Sequence, residues 1–133
     1  MVRILLVDDE QAIRQVFKSV LELHAFEVET ASCAAEAIAL LDNGSVYDIV
    51  LTDLRMERPL AGFDVVKAAK RCAAKPLAVI ITGFPVPPAE WKGAGADALF
   101  VKGAEIFDLS GRLESMLKKQ PSDAGARTTR KLG

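Results

Sequence analysis

Three unbroken apolar runs, each closed by polar residues, constrain this chain most. VRILLV (residues 2–7) stops at Asp8, Asp9 and Glu10; IVL (residues 49–51) stops at Thr52 and Asp53; LAVII (residues 77–81) stops at Thr82 and Gly83. Successive side chains of a strand point to opposite faces, so a run without polar alternation describes a strand covered on both sides. Such strands belong to parallel sheets with helices packed above and below. In those sheets ligands bind outside the carboxyl ends of the strands, where these runs place their polar residues.

The segments between the runs read as helices. Ile13, Val16, Phe17, Val20 and Leu21 form the apolar stripe of a helix over residues 11–23, with His24 at its C-terminal end. Residues 26–31 read as a strand, and Ala34, Ala37, Ile38 and Leu41 then repeat at helical spacing up to an Asn43-Gly44 stop. After the Asp53 strand, the Pro and Gly of residues 55–62 mark a loop, and a helix follows over residues 63–71 with Val65, Val66 and Ala69 facing inward. Pro85, Pro87 and Pro88 confine the next helix to a short piece near residues 89–92. A fifth strand over residues 98–101 ends at Lys102, and Ile106, Leu109, Leu113, Met116 and Leu117 make a final amphipathic helix. Residues 120–133 lack apolar periodicity and read as a disordered tail whose basic residues include Arg127, Arg130 and Lys131.

Five strands alternating with five helices define an α/β fold, a doubly wound parallel sheet between two helical layers. Periodicity alone does not fix the strand order. Among doubly wound sheets the five-stranded, flavodoxin-like order is 2-1-3-4-5. At 133 residues the chain is about one domain long, here residues 1–119. A net charge of −1 argues against broad electrostatic binding to nucleic acid. Cys33 and Cys72 have no spacing suited to zinc, so buried free thiols and a reducing, cytoplasmic setting are expected. No signal peptide and no membrane span are expected either.

The strand ends carry chemistry when taken together. A parallel sheet puts Asp8, Asp9, Asp53, Thr82 and Lys102 on one edge. Carboxylates about 4 Å apart repel by roughly 4 kcal/mol per pair at an effective dielectric of about 20. A hard divalent cation offsets that repulsion, and Mg2+ takes one or two carboxylates together with water and phosphate oxygens. A lysine ammonium and a threonine hydroxyl suit an anionic phosphoryl group. The set describes phosphoryl transfer to a carboxylate.

These motifs, LLVDDE, DIVLTDLRM, AVIITG and GADALFVK, resemble the receiver domains of two-component response regulators over residues 2–119. The resemblance implies that Asp53 is the phospho-acceptor. It implies that Asp9 and Asp53, with the backbone carbonyl of Arg55, hold Mg2+, while Asp8 acts through metal-bound water. Thr82 becomes the switch hydroxyl, Gly83 leaves access to the acceptor, and Lys102 is the counter-ion. The implied partners are a sensor histidine kinase or histidine phosphotransfer protein and a downstream protein target, with a homodimer possible and no action on nucleic acid or membrane. The implied function is that of a free-standing receiver in a phosphorelay, with self-catalysed chemistry at most. The chain departs from the family's usual residues at Gly103, where Pro is customary, at Leu99, where an aromatic is common, and at Glu57, where Pro is common. Two other readings compete: a receiver-like interaction module indifferent to phosphorylation, and a small aspartate-dependent phosphatase. Phosphatases of that kind need paired acids as DxD, whereas Asp53 is followed by Leu54 and Arg55.

Overall fold

The computed structural model describes residues 1–103 and 108–119. Among these residues five strands alternate with five helices: β1 (Arg3–Val7), α1 (Gln11–Leu23), β2 (Glu27–Ala31), α2 (Ala34–Asp42), β3 (Ile49–Asp53), α3 (Ala61–Arg71), β4 (Leu77–Thr82), α4 (Pro88–Gly93), β5 (Ala98–Val101) and α5 (Leu109–Lys118). All four strand pairings are parallel, in the order β2-β1-β3-β4-β5, as the alternating pattern predicts. Ile106 and the 120–133 tail lie outside the described residues.

The apolar runs are unbroken because both sheet faces are covered. Ile4, Leu6, Ile49, Leu51, Val79 and Ile81 pack with Phe17 and Leu21 of α1 and Leu109 and Leu113 of α5. Their neighbours Leu5, Val7, Val50, Ala78 and Ile80 face the other way, against Ala34, Ala37 and Leu41 of α2 and Val65, Val66 and Ala69 of α3. The inward faces of α2 and α3 include the small residues Ala34, Ala37, Ala68 and Ala69. Leu99 and Phe100 also split between the two faces, as their adjacent positions on β5 require.

Three expectations need correction. Val16 belongs to the apolar stripe by spacing, yet it is 52% exposed, because Phe17 and Leu21 centre the buried face of α1 and Val16 falls to its side. α3 begins at Ala61, two residues earlier than the Pro and Gly signals imply, and it takes Gly62 into its first turn. Cys33 and Cys72 are free thiols but half-buried, not buried. α4 is the short helix that the prolines imply, Pro88 to Gly93, with Pro88 at its start and no buried side chain.

Candidate functional site

Strand register aligns the polar strand ends. Val7 pairs with Thr52, so Asp8 stands level with Asp53 on the neighbouring strand. Asp53 pairs with Ile81 and Thr82 with Val101, which leaves Thr82 one step and Lys102 two steps beyond that level. β1 and β3 flank the point where the strand order reverses, the crevice in which doubly wound sheets bind ligands.

Lys102 closes the corner. Its backbone N–H donates to the Thr82 carbonyl at 2.7 Å, and its ammonium reaches back to Asp53 Oδ2 at 3.1 Å and Asp8 Oδ2 at 3.2 Å. Asp8 and Asp53 are buried, with 2% and 9% exposure, so the two carboxylates share one cation with little help from water. Burial pulls the Lys102 pKa down, but Asp53 and Asp8 more than reverse this and hold it above its ordinary value. Burial pushes the Asp53 carboxyl up, Lys102 opposes and Asp8 adds to the rise, and the balance lies above the usual aspartate value.

The remaining contacts fix Asp53 in place. The Leu54 N–H donates to Asp53 Oδ1 at 2.8 Å, and the Thr52 hydroxyl donates to the Asp53 carbonyl at 2.8 Å. Gly62 packs directly on that peptide: a Cβ added there would collide with the Asp53 carbonyl and come 2.7 Å from Leu54 Cα. Its own N–H donates to the Leu54 carbonyl at 2.9 Å.

Not every expected residue converges equally. Asp9 is exposed, and its carboxylate gathers with those of Asp8 and Glu10, the three oxygens lying within 4.8 Å of one another. Asp8 Oδ1 accepts from the Glu10 N–H at 2.9 Å, while the Arg14 guanidinium donates to the Asp8 carbonyl at 2.7 Å. Thr82 is buried, and its hydroxyl oxygen accepts from the Phe84 N–H at 3.3 Å. Gly83 is exposed, and an added Cβ would meet no atom within 4 Å. Arg55 is exposed, and its guanidinium lies 4.5 Å from the centre of the Phe84 ring. At Gly103 φ is +134°, a conformation closed to proline.

Sequence reasoning gave no role to two acids here. Glu10 is the third member of the acidic cluster, and its place in the DDE triplet was the available signal. Glu57 is more distant from any signal: its carboxylate accepts from the N–H groups of Ala34 at 2.9 Å and Ala35 at 3.1 Å, at the N-terminus of α2. Burial raises the Glu57 carboxyl, but those amides outweigh it and hold the pKa below the usual range.

The donor set suits a hard cation: Asp8, Asp9, Glu10 and Asp53 offer only oxygens, against the single ammonium of Lys102. Both Asp8 oxygens are already engaged, by the Glu10 N–H and by Lys102.

Comparison with known proteins supplies the family. Residues 4–114 match the response regulator receiver domain, and the chain belongs to that family. It is 28% identical over 123 residues to the transcriptional regulatory protein CpxR homolog of Haemophilus influenzae, covering 92% of this chain and 53% of that protein. Over 80 residues it is 42% identical to the alginate biosynthesis transcriptional regulatory protein AlgB of Pseudomonas aeruginosa, 60% of this chain and 17% of that one. The chain thus spans about half the length or less of these curated relatives. A CheY-like receiver domain protein from Methanospirillum hungatei superposes with a TM-score of 0.81 at 27% identity, covering 92% of this chain and 98% of its own. TrrA of Thermotoga maritima, solved in complex with Mg2+ and beryllofluoride, gives 0.76 at 27% identity over 87% and 99% of the two chains. No helix among the described residues is long and apolar enough to cross a membrane.

Proposed function

We propose that this chain is the receiver of a two-component pathway, taking a phosphoryl group onto Asp53 from the phosphohistidine of a sensor kinase or phosphotransfer protein. The observation that carries this reading is the Lys102 ammonium held between Asp53 and Asp8 at 3.1 and 3.2 Å. An ammonium that already neutralises the acceptor can follow its charge when that charge moves onto phosphoryl oxygens.

The step needs little covalent machinery. A carboxylate oxygen of Asp53 forms a bond to phosphorus as the phosphorus–nitrogen bond of the donor breaks, and the leaving imidazole takes a proton. Leu54 N–H holds the other carboxylate oxygen during attack. Thr82 donates its hydroxyl to the new phosphoryl group, and exposed Gly83 leaves the approach open. Asp9, Asp53 and the Arg55 carbonyl are the residues that would hold Mg2+, with Asp8 acting through bound water because its own oxygens are engaged. When bound, the ion neutralises charge on the acceptor and the transferred group. Beryllofluoride and Mg2+ bound to TrrA support carrying this chemistry over.

From the longer relatives we carry over the receiver alone. Its output is a change in the surface offered to a protein partner in the cytoplasm. Incubation with Mg2+ and acetyl phosphate is the test: one phosphoryl group should be added to the wild type and none to Asp53→Asn. Labelling that survives Asp53→Asn, or no labelling of the wild type, overturns the reading. Sustained turnover of phosphate esters would instead favour a phosphatase.

A further inference from the structure

The loop between β3 and α3 is tied to a helix that does not neighbour it in sequence. α2 opens with three amides that have no partner within the helix, those of Ala34, Ala35 and Glu36. Cys33 Sγ accepts from Glu36 N–H at 3.4 Å, and Glu57 takes the other two, one oxygen on each. Glu57 therefore spans 22–23 residues of chain to cap α2. Carboxylate acceptors at a helix N-terminus gain both from charge-assisted hydrogen bonds and from the helix dipole.

The same loop carries Arg55, two residues before Glu57. Its other side-chain ties include the half-buried Met56, which packs on the core, the ion pair of Arg58 with Asp64 of α3 at 2.7 Å and the contact of Arg55 with Phe84. The ion pair and the Arg55–Phe84 contact involve side chains about half exposed or more, and an exposed pair contributes little. The Gly62 N–H to Leu54 carbonyl bond closes the loop on its own helix, α3, whereas the two-pronged contact of Glu57 ties it to backbone amides of a different element, α2.

We infer that Glu57 is a positioning residue for the metal: by holding the β3–α3 loop against the start of α2, it fixes the Arg55 carbonyl where the acidic corner can use it. The inference rests on the proposed receiver chemistry. Groups that orient a metal ligand without touching the ion typically change affinity by about 10- to 100-fold when removed.

The full chain as wild type, Glu57→Ala and Glu57→Gln would be titrated with Mg2+ by calorimetry, with amide hydrogen exchange followed at residues 34 and 35. Glu57→Ala should raise the Mg2+ dissociation constant about tenfold and speed exchange at both amides. Glu57→Gln keeps one acceptor oxygen and should fall between, which covers the case in which the alanine variant folds poorly. A cap with a purely structural role would change exchange and thermal stability while leaving the Mg2+ constant as in wild type, and that result overturns the inference alone. Faster exchange at residues 34 and 35 on adding Mg2+ to wild type would also overturn it, since Glu57 would then be leaving α2 to become a ligand itself. Wild type that binds no Mg2+ overturns the receiver chemistry, and this inference falls with it.

Discussion

Lys102 Nζ lies 3.1 Å from Asp53 Oδ2 although the two residues come from strands separated by β4, and the same ammonium sits 3.2 Å from Asp8 Oδ2. One cation therefore serves two buried carboxylates. Lys102→Ala should lower stability at pH 7 by about 2 kcal/mol, because it strands two acids with little solvent. Adding Asp53→Asn to that variant should restore part of the loss, since one of the stranded charges is then gone. Urea denaturation of the three proteins decides it, and equal midpoints would deny the coupling.

Gly62 should tolerate no side chain. A methyl group there meets the Asp53 carbonyl and Leu54 Cα, both backbone, so neither can turn aside. Gly62→Ala is expected to cost about 1–3 kcal/mol and to disturb the acceptor peptide in the same step. Thermal denaturation measures the first effect, and the rate of labelling by acetyl phosphate the second.

Tyr47 is the chain's only tyrosine, which makes its titration readable by tyrosinate absorbance. Its hydroxyl donates to Glu29 Oε1 at 2.6 Å, and burial together with that acid pushes its pKa up to about 12. Because the folded value lies above the ordinary value near 10, the protonated phenol contributes stability that is complete below about pH 10 and is lost as pH rises toward 12. The folded protein should titrate near 12 and the urea-unfolded chain near 10, and Tyr47→Phe should flatten the alkaline loss of stability. A folded-state midpoint near 10 would contradict the buried phenol.

Ala25 occupies a position where glycine is usual. At the end of α1 its φ is +67°, with Phe26 N–H donating to the Leu21 carbonyl at 3.2 Å and Ala25 N–H to the Glu22 carbonyl at 3.0 Å. Phe26 and Leu21 then meet in the same apolar cluster, completing a left-handed helix stop of the Schellman type. Ala25→Gly should stabilise by about 1 kcal/mol, read as a higher denaturation midpoint, because it removes the steric cost of that conformation.

The same position shows what the chain's letters reveal and what they hide. The strands were legible because their apolar runs need burial on both faces, and Ile4/Leu6 against Leu5/Val7 shows that both faces are used. Asp8, Asp53 and Lys102 were legible because a parallel sheet forces strand ends onto one edge. Ala25 and Glu57 were not: the first breaks the glycine rule at its position, and the second finds its partners more than 20 residues away. Val16 misled because spacing locates a stripe on a helix without saying which of its margins the sheet covers.

Arg55 and Phe84 stand on the two loops that follow Asp53 and Thr82, and their side chains stack at 4.5 Å across the space between. Phe84 is 55% exposed, so burial alone does not hold it there. Cation–π contacts at exposed sites contribute about 0.5–1 kcal/mol, enough to bias loop positions without locking them. If the pair screens a phosphorylated Asp53 from water, Arg55→Ala and Phe84→Ala should each shorten the phosphoryl lifetime by roughly 2- to 5-fold, the rate equivalent of that energy. The two substitutions combined should do little more than either alone, because each already abolishes the shared contact. The decay of phosphorylated protein after removal of the donor gives all four rates. Multiplicative effects in the double variant would show the side chains acting separately, and unchanged decay in both single variants would remove the screen.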